Sequence, residues 1–262
     1  MANEEERIDP ELNKALEYAQ RLLNAAIDVV DAASSLQPNE QRARDPKVVA
    51  LTFLCRSISN FRAAMLLAQQ EQAMEARALV RLLYENLLWL GGLRERRAEF
   101  VSDMIADDRH NRRVLAELTL KLTGKHGADA GAPDALTLRN IIKELDQLPT
   151  GKKLRADKIA FGGVVDLSYI EYLRFSLDSL HCSVTALGRH LSSKRTATTD
   201  ELTASVIPNT TPKEVLSTVL HACRALMGAV VASNEIVGFT IGGDHVAELM
   251  TEFENNEWAR TD

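Results

Sequence analysis

Apolar residues recur at three- and four-residue intervals along nearly the whole chain, the spacing that collects them on one side of a helix, and strand-like alternation bounded by hairpin turns is absent. The pattern predicts an all-α protein. A first helix opens at Asp9-Pro10, an N-cap followed by proline at the first helical position, and runs to about Ser35; Gln37-Pro38-Asn39 ends it. Asp45-Pro46 repeats the signal for a second helix to about Glu71. The third, Ala73 to Leu90, is apolar almost all round and predicts a central buried helix broken by Gly91-Gly92. A long, more polar helix follows from Arg94 to Leu122, with Phe100, Met104, Ile105, Val114, Leu118 and Leu122 as its inner face.

Beyond Gly124 the periodicity fails over Lys125 to Pro133, returns in a short helix from Asp134 to Gln147, and fails again over Thr150 to Val165. This last stretch, with Lys152, Lys153, Arg155 and Lys158, reads as a mobile functional loop. A helix of about 27 residues is expected from Asp166 to Ser192, with Leu173, Leu177, Leu180, Val184 and Leu187 as its core stripe. The Ser/Thr-rich stretch Ser193 to Thr210 reads as a linker. Thr211-Pro212-Lys213-Glu214 is a capping box opening a helix to Val237, and a terminal helix spans Asp244 to Trp258. The expectation is a single domain, residues 1–262: a bundle of seven or eight helices with a short-helix and loop insertion over 123–165 and a linker over 193–210.

Composition narrows the classes. The chain has 262 residues, 45% apolar and 26% charged, enough for a full core. Three cysteines without a C-x-x-C pair make no disulfide framework and predict a reducing, cytoplasmic setting. The acidic start through Asn13 does not read as a targeting signal, and the apolar passages around Leu82 to Leu93 and Leu226 to Ala232 are too short or interrupted to span a membrane. A net charge of -6 argues against strong general nucleic-acid binding.

Two groups of residues stand above this background. Arg77, Arg81 and Glu85 follow one another at four-residue spacing on the apolar third helix, where a charge must be paired or must serve a site. On the later helix, Tyr172, Ser176 and Ser183 border the expected stripe on one side and Arg174, Asp178 and His181 on the other. Arg174 and His181, seven residues apart, share a face. An arginine that stabilises a phosphorane and a histidine that moves protons make a minimal metal-free apparatus for RNA cleavage; the alternative is an Arg174 to Asp178 surface pair with a border histidine. Glu99, Asp103, Asp107 and His110 read as a solvated face, and His181-Cys182 with His221-x-Cys223 as core residues rather than a zinc site, because such neighbours diverge on a helix. No cofactor or metal is called for.

The R-x-x-x-E of Arg81 and Glu85, followed by Y-x-x-x-S-x-x-x-x-H at Tyr172, Ser176 and His181, resembles a widespread bacterial family of helical domains of unknown function over residues 45 to 195. The resemblance implies a shared polar site built from these residues. A second, weaker likeness is to the HEPN superfamily of helical ribonucleases and toxins, through Arg174 and His181 with six residues between them. That likeness implies a homodimer acting on RNA. Three readings follow: a small polar ligand bound by Arg81, Glu85, Tyr172 and Ser176; an assembly role in which these are structural pairs; and a metal-independent endoribonuclease with Arg174 and His181 catalytic.

Overall fold

The computed structural model describes residues 9–33, 37, 39–125, 133–149, 151, 153–160, 163, 165–180, 183–195, 200–238 and 243–260. The protein is all-α, with nine α-helices among the described residues: α1 (Pro10–Ala32), α2 (Pro46–Gln69), α3 (Ala73–Lys125), α4 (Pro133–Asp146), α5 (Ala156–Ala160), α6 (Asp166–Phe175), α7 (Val184–Gly188), α8 (Pro212–Val237) and α9 (Gly243–Asn255). Helices α1, α2, α8 and the first half of α3 pack together as the central bundle. Their starts follow the local chemistry: Asp9 and Asp45 side chains accept from Glu11 N–H and Lys47 N–H, both at 2.9 Å, and Thr211 with Glu214 forms the expected reciprocal cap.

The core is aliphatic, with Leu22, Leu54, Phe61, Val80, Leu83, Leu220 and Leu226 fully enclosed. Tyr18 of α1 is buried between Phe253 and Trp258, and its hydroxyl donates to Leu249 O at 2.8 Å, tying α9 to the bundle. By length and composition α8 could cross a bilayer, yet 78% of its most apolar window is buried inside the bundle. It is the central helix, touched by α1, α2 and α3.

Four sequence expectations are corrected. Gly91-Gly92 does not end the third helix. Helix α3 continues to Arg97, where the backbone turns left-handed (φ 49°, ψ −122°), and only there does the axis break. The glycines serve close packing: a Cβ on Gly92 would meet the Phe100 ring at 2.5 Å, and one on Gly91 would meet Val165 at 2.6 Å. Beyond the bend, Phe100 is buried and Met104 and Ile105 partly so, but Val114, Leu118 and Leu122 are exposed, because α4 is the only helix with extensive contact to that end of α3.

The stretch from Thr150 to Val165 is anchored rather than loose where it is described. Leu154 N–H donates to Asp107 Oδ1 at 2.7 Å, and Ile159 and Ala160 of α5 are buried. Asp107, expected on a solvated face, therefore holds this segment to α3.

The helix expected over 166–192 is divided. Helix α6 ends at Phe175 and passes into a π-helical turn, Ser176–Leu180, before the short α7. The Ser176 and Ser179 hydroxyls donate back to Tyr172 O and Phe175 O, both at 2.7 Å, the kind of bonding that loosens the helical ladder. The wider turn shifts the helical phase. Phe175 and Ser176 are buried, whereas Leu173, Leu177, Val184 and Leu187, expected as core, are 42%, 62%, 89% and 57% exposed.

The expected linker over 193–210 begins as a hairpin. Strands β1 (Leu191–Arg195) and β2 (Asp200–Ala204) pair antiparallel with Leu191 opposite Ala204. Its strands are short and mostly polar, so the alternation that reveals a half-buried strand is missing from them.

Candidate functional site

Helix α6 lies against the first half of α3, and three polar systems are built where they meet. In the first, Arg81 takes every partner the four-residue spacing could offer. Its Nη1 pairs with Glu85 at 2.6 Å, its Nη2 donates to the Tyr172 hydroxyl at 2.6 Å, and its Nε lies 3.3 Å from Ser176 Oγ. The guanidinium also sits 4.5 Å from the centre of the Tyr172 ring. Four residues singled out from sequence thus converge. They form a saturated knot joining α3 to α6, and they line neither of the two cavities beside it.

The second system joins α3, the π turn, α7 and α8. Arg77 pairs with Asp178, lies 3.6 Å from Glu214, and donates through Nε to Thr218 Oγ1 at 3.1 Å. Arg189 bonds both carboxylates, Asp178 at 3.0 Å and Glu214 at 2.6 Å. Burial alone would raise the Glu214 carboxyl, but bonding from Arg189 and the Thr211 backbone holds it below the usual carboxylate range. Asp178, weighed from sequence as a surface partner of Arg174, belongs here instead. Arg174 is 65% exposed and meets Glu171 only at 3.8 Å.

The third system is Tyr84, His221 and Glu171. The Tyr84 hydroxyl lies 2.9 Å from His221 Nδ1, and Glu171 Oε2 lies 3.6 Å from the same nitrogen. Glu171 Oε2 is buried and has no hydrogen-bond partner among the described residues. Burial, reinforced by Arg224, Arg174 and Arg77, pushes His221 down to about 4, so the imidazole is neutral at pH 7. Burial, reinforced by Glu171, pushes the Tyr84 phenol up, so it keeps its proton. With a protonated phenol and a neutral ring, the consistent assignment has Tyr84 O–H donating to Nδ1 and the ring proton on Nε2. A base this weak is poorly matched to proton transfer at neutral pH; it is suited to hydrogen bonding. Cys223, two residues on, is buried, and burial pushes its thiol up.

His221 and Arg174 stand in the walls of two cavities. The larger, about 970 Å³, is a cleft between α3, α6, α8 and α9. Leu87, Met227, Val231, Met250 and Phe253 give it apolar walls, and three arginines (Arg94, Arg174, Arg224) are matched by three glutamates (Glu171, Glu235, Glu254). Two of the arginines are engaged: Arg94 pairs with Glu235, and Arg224 donates to Ala259 O at 2.8 Å. The smaller cavity, about 420 Å³, lies over the Arg77, Asp178, Arg189 and Glu214 network. No group of three or more potential metal ligands occurs among the described residues.

His181 and Cys182 lie outside the described residues, so the Arg174 to His181 pairing has no geometry here. Sequence reasoning passed over Ser168 and Glu171, although with Arg174 they form a three-residue-spaced face of α6 that lines the cleft. It met His221 only as a zinc ligand, and Tyr84, Arg189 and Arg224 not at all.

The chain belongs to a family of unknown function, DUF5677, whose profile matches residues 47–198. No curated protein and no solved structure matches the chain, and nothing in these comparisons supports the HEPN likeness. The matched segment carries the Arg81 knot, Arg77, Asp178, Arg189 and the α6 wall of the cleft; α8 and α9, which supply the opposite wall, lie beyond it.

Proposed function

We propose that this protein binds a small, largely apolar ligand in the cleft between α3, α6, α8 and α9. The observation that carries the reading is the cleft itself: about 970 Å³, within the range of small-molecule sites, with apolar and methionine-bearing walls. Its three arginines and three glutamates cancel, which favours a neutral or internally balanced ligand over a bare anion. Polar orientation would come from His221 and Ser168. The Arg81, Glu85, Tyr172 and Ser176 knot then acts as a brace that fixes α6 against α3, not as the ligand's contact.

The test uses N-phenyl-1-naphthylamine, a neutral probe whose fluorescence rises in apolar sites. Wild type is expected to bind it saturably, and Val231→Trp, which fills the cleft, to abolish binding while keeping the helical circular dichroism. Probe binding unchanged in that variant would end the reading.

A second reading, assembly with another copy of the chain, is favoured by Leu177 and Val184, which are 62% and 89% exposed on adjoining segments. It predicts a dimer by light scattering that Leu177→Lys with Val184→Glu converts to monomer. A wild type that stays monomeric at every concentration would exclude it.

A further inference from the structure

The smaller cavity differs from the cleft in the sign of its lining. Four cationic side chains, Arg77, Arg174, Arg189 and Lys213, face two carboxylates, Asp178 and Glu214. The two carboxylates are consumed by the two inner arginines, Arg77 and Arg189. This leaves Arg174, held only loosely by Glu171 at 3.8 Å, and Lys213, which makes no ion pair among the described residues, as surplus positive charge at the rim. Hydroxyls of Thr185, Thr211 and Ser217 complete the lining. The cavity also opens at the start of α8, a 26-residue helix whose N-terminal dipole adds positive potential.

We infer that this cavity is an anion site for a phosphoryl group, with Arg174 and Lys213 as the direct charge partners and Arg77 and Arg189 as a rigid floor. A phosphoryl dianion matches the surplus of two positive charges, and its several oxygens match guanidinium, ammonium and hydroxyl donors together. The inner arginines contribute field and position: their forks are already bonded to Asp178 and Glu214, so they are organised before any anion arrives. Because Arg174 and His221 stand in the walls of both cavities, an anion here adjoins the end of the cleft. The inference rests on the small cavity and its charges, and does not require the cleft to be occupied.

The experiment is titration of the full chain with inorganic phosphate at low ionic strength by calorimetry, with chloride as the control anion. Saturable phosphate binding is expected, weakened about tenfold by Arg174→Gln and about tenfold by Lys213→Gln, the loss of one charge-assisted contact each. Both residues are exposed, so both variants should fold. Absence of saturable phosphate binding, or binding that neither variant weakens, overturns the inference. Octyl phosphate distinguishes the source. If it displaces N-phenyl-1-naphthylamine, the phosphoryl group is the head of the cleft's ligand; if it binds and leaves the probe in place, the site takes an independent phosphate. Phosphate binding in a protein that ignores the naphthylamine would overturn the cleft reading alone, and the reverse result this one alone.

Discussion

Arg81 both donates to the Tyr172 hydroxyl at 2.6 Å and packs its guanidinium 4.5 Å from the centre of that ring, so a single side chain clamps α6 to α3 by two different forces. Tyr172→Phe keeps the ring and removes the hydroxyl, and is expected to cost about 1 kcal/mol, the lower end for a bond to a charged group because the knot is partly exposed. Arg81→Ala removes the stacking, the ion pair and the Ser176 contact together and should cost about 2 to 3 kcal/mol. Urea denaturation reads both. Equal losses in the two variants would mean that stacking and the Glu85 pair contribute nothing.

Gly92 is predicted to be intolerant of a single methyl. A Cβ would stand 2.5 Å from one Phe100 ring atom and 2.7 Å from another, with Ile159 at 3.0 Å, so Gly92→Ala should destabilise by about 1 to 3 kcal/mol despite alanine's better helix propensity. Phe100→Leu should recover part of that loss in the double variant. Gly124, where a Cβ would meet nothing within 4 Å, is the internal control: Gly124→Ala should stabilise slightly. Thermal midpoints compare them.

The neutral state of His221 makes stability depend on acid. The folded imidazole, held near 4 by burial with Arg224, Arg174 and Arg77, takes no proton until well below the pH near 6.5 at which the unfolded chain is half protonated. Between those values the unfolded state holds more protons, so stability falls as pH drops from about 6.5 toward 4 and this contribution levels off below. The full effect is on the order of 3 kcal/mol. His221→Gln, which cannot titrate, should flatten the dependence between pH 6.5 and 5, measured by urea unfolding across that interval. A slope identical to wild type would refute the assignment.

Arg97 occupies a left-handed conformation, φ 49°, at the bend of α3, and there its guanidinium donates to Ile236 O at 3.0 Å at the end of α8. Arg97→Ala loses the contact and keeps the strain, and should cost about 1 to 2 kcal/mol. Arg97→Gly loses the contact but relieves a backbone cost of about 1 kcal/mol or more, so it should be the more stable of the two. Denaturant midpoints of the pair isolate the strain. The opposite order would show that the bend is not strained.

What the sequence determined by itself is what acts over one helical turn. Asp9-Pro10, Asp45-Pro46 and the Thr211 capping box start helices where they stand, because a cap is satisfied by the next two or three residues. The spacing of Arg81 and Glu85 likewise settles that they meet. Tertiary structure decided the rest. That Tyr172 and Ser176 come to Arg81, that Asp178 joins Arg77 rather than Arg174, and that Glu171 faces His221 all depend on how α6 and α8 dock on α3. The Leu173 and Leu177 stripe pointed inward by ideal periodicity, but the π turn beginning at Ser176 shifts the phase and leaves both in solvent. Gly91-Gly92 looked like a helix end because a missing side chain in sequence carries no record of what fills its place; here Phe100 and Val165 do. Local hydrogen bonding is written in neighbouring residues, whereas a cavity's shape and the sign of its charge exist only where distant helices meet.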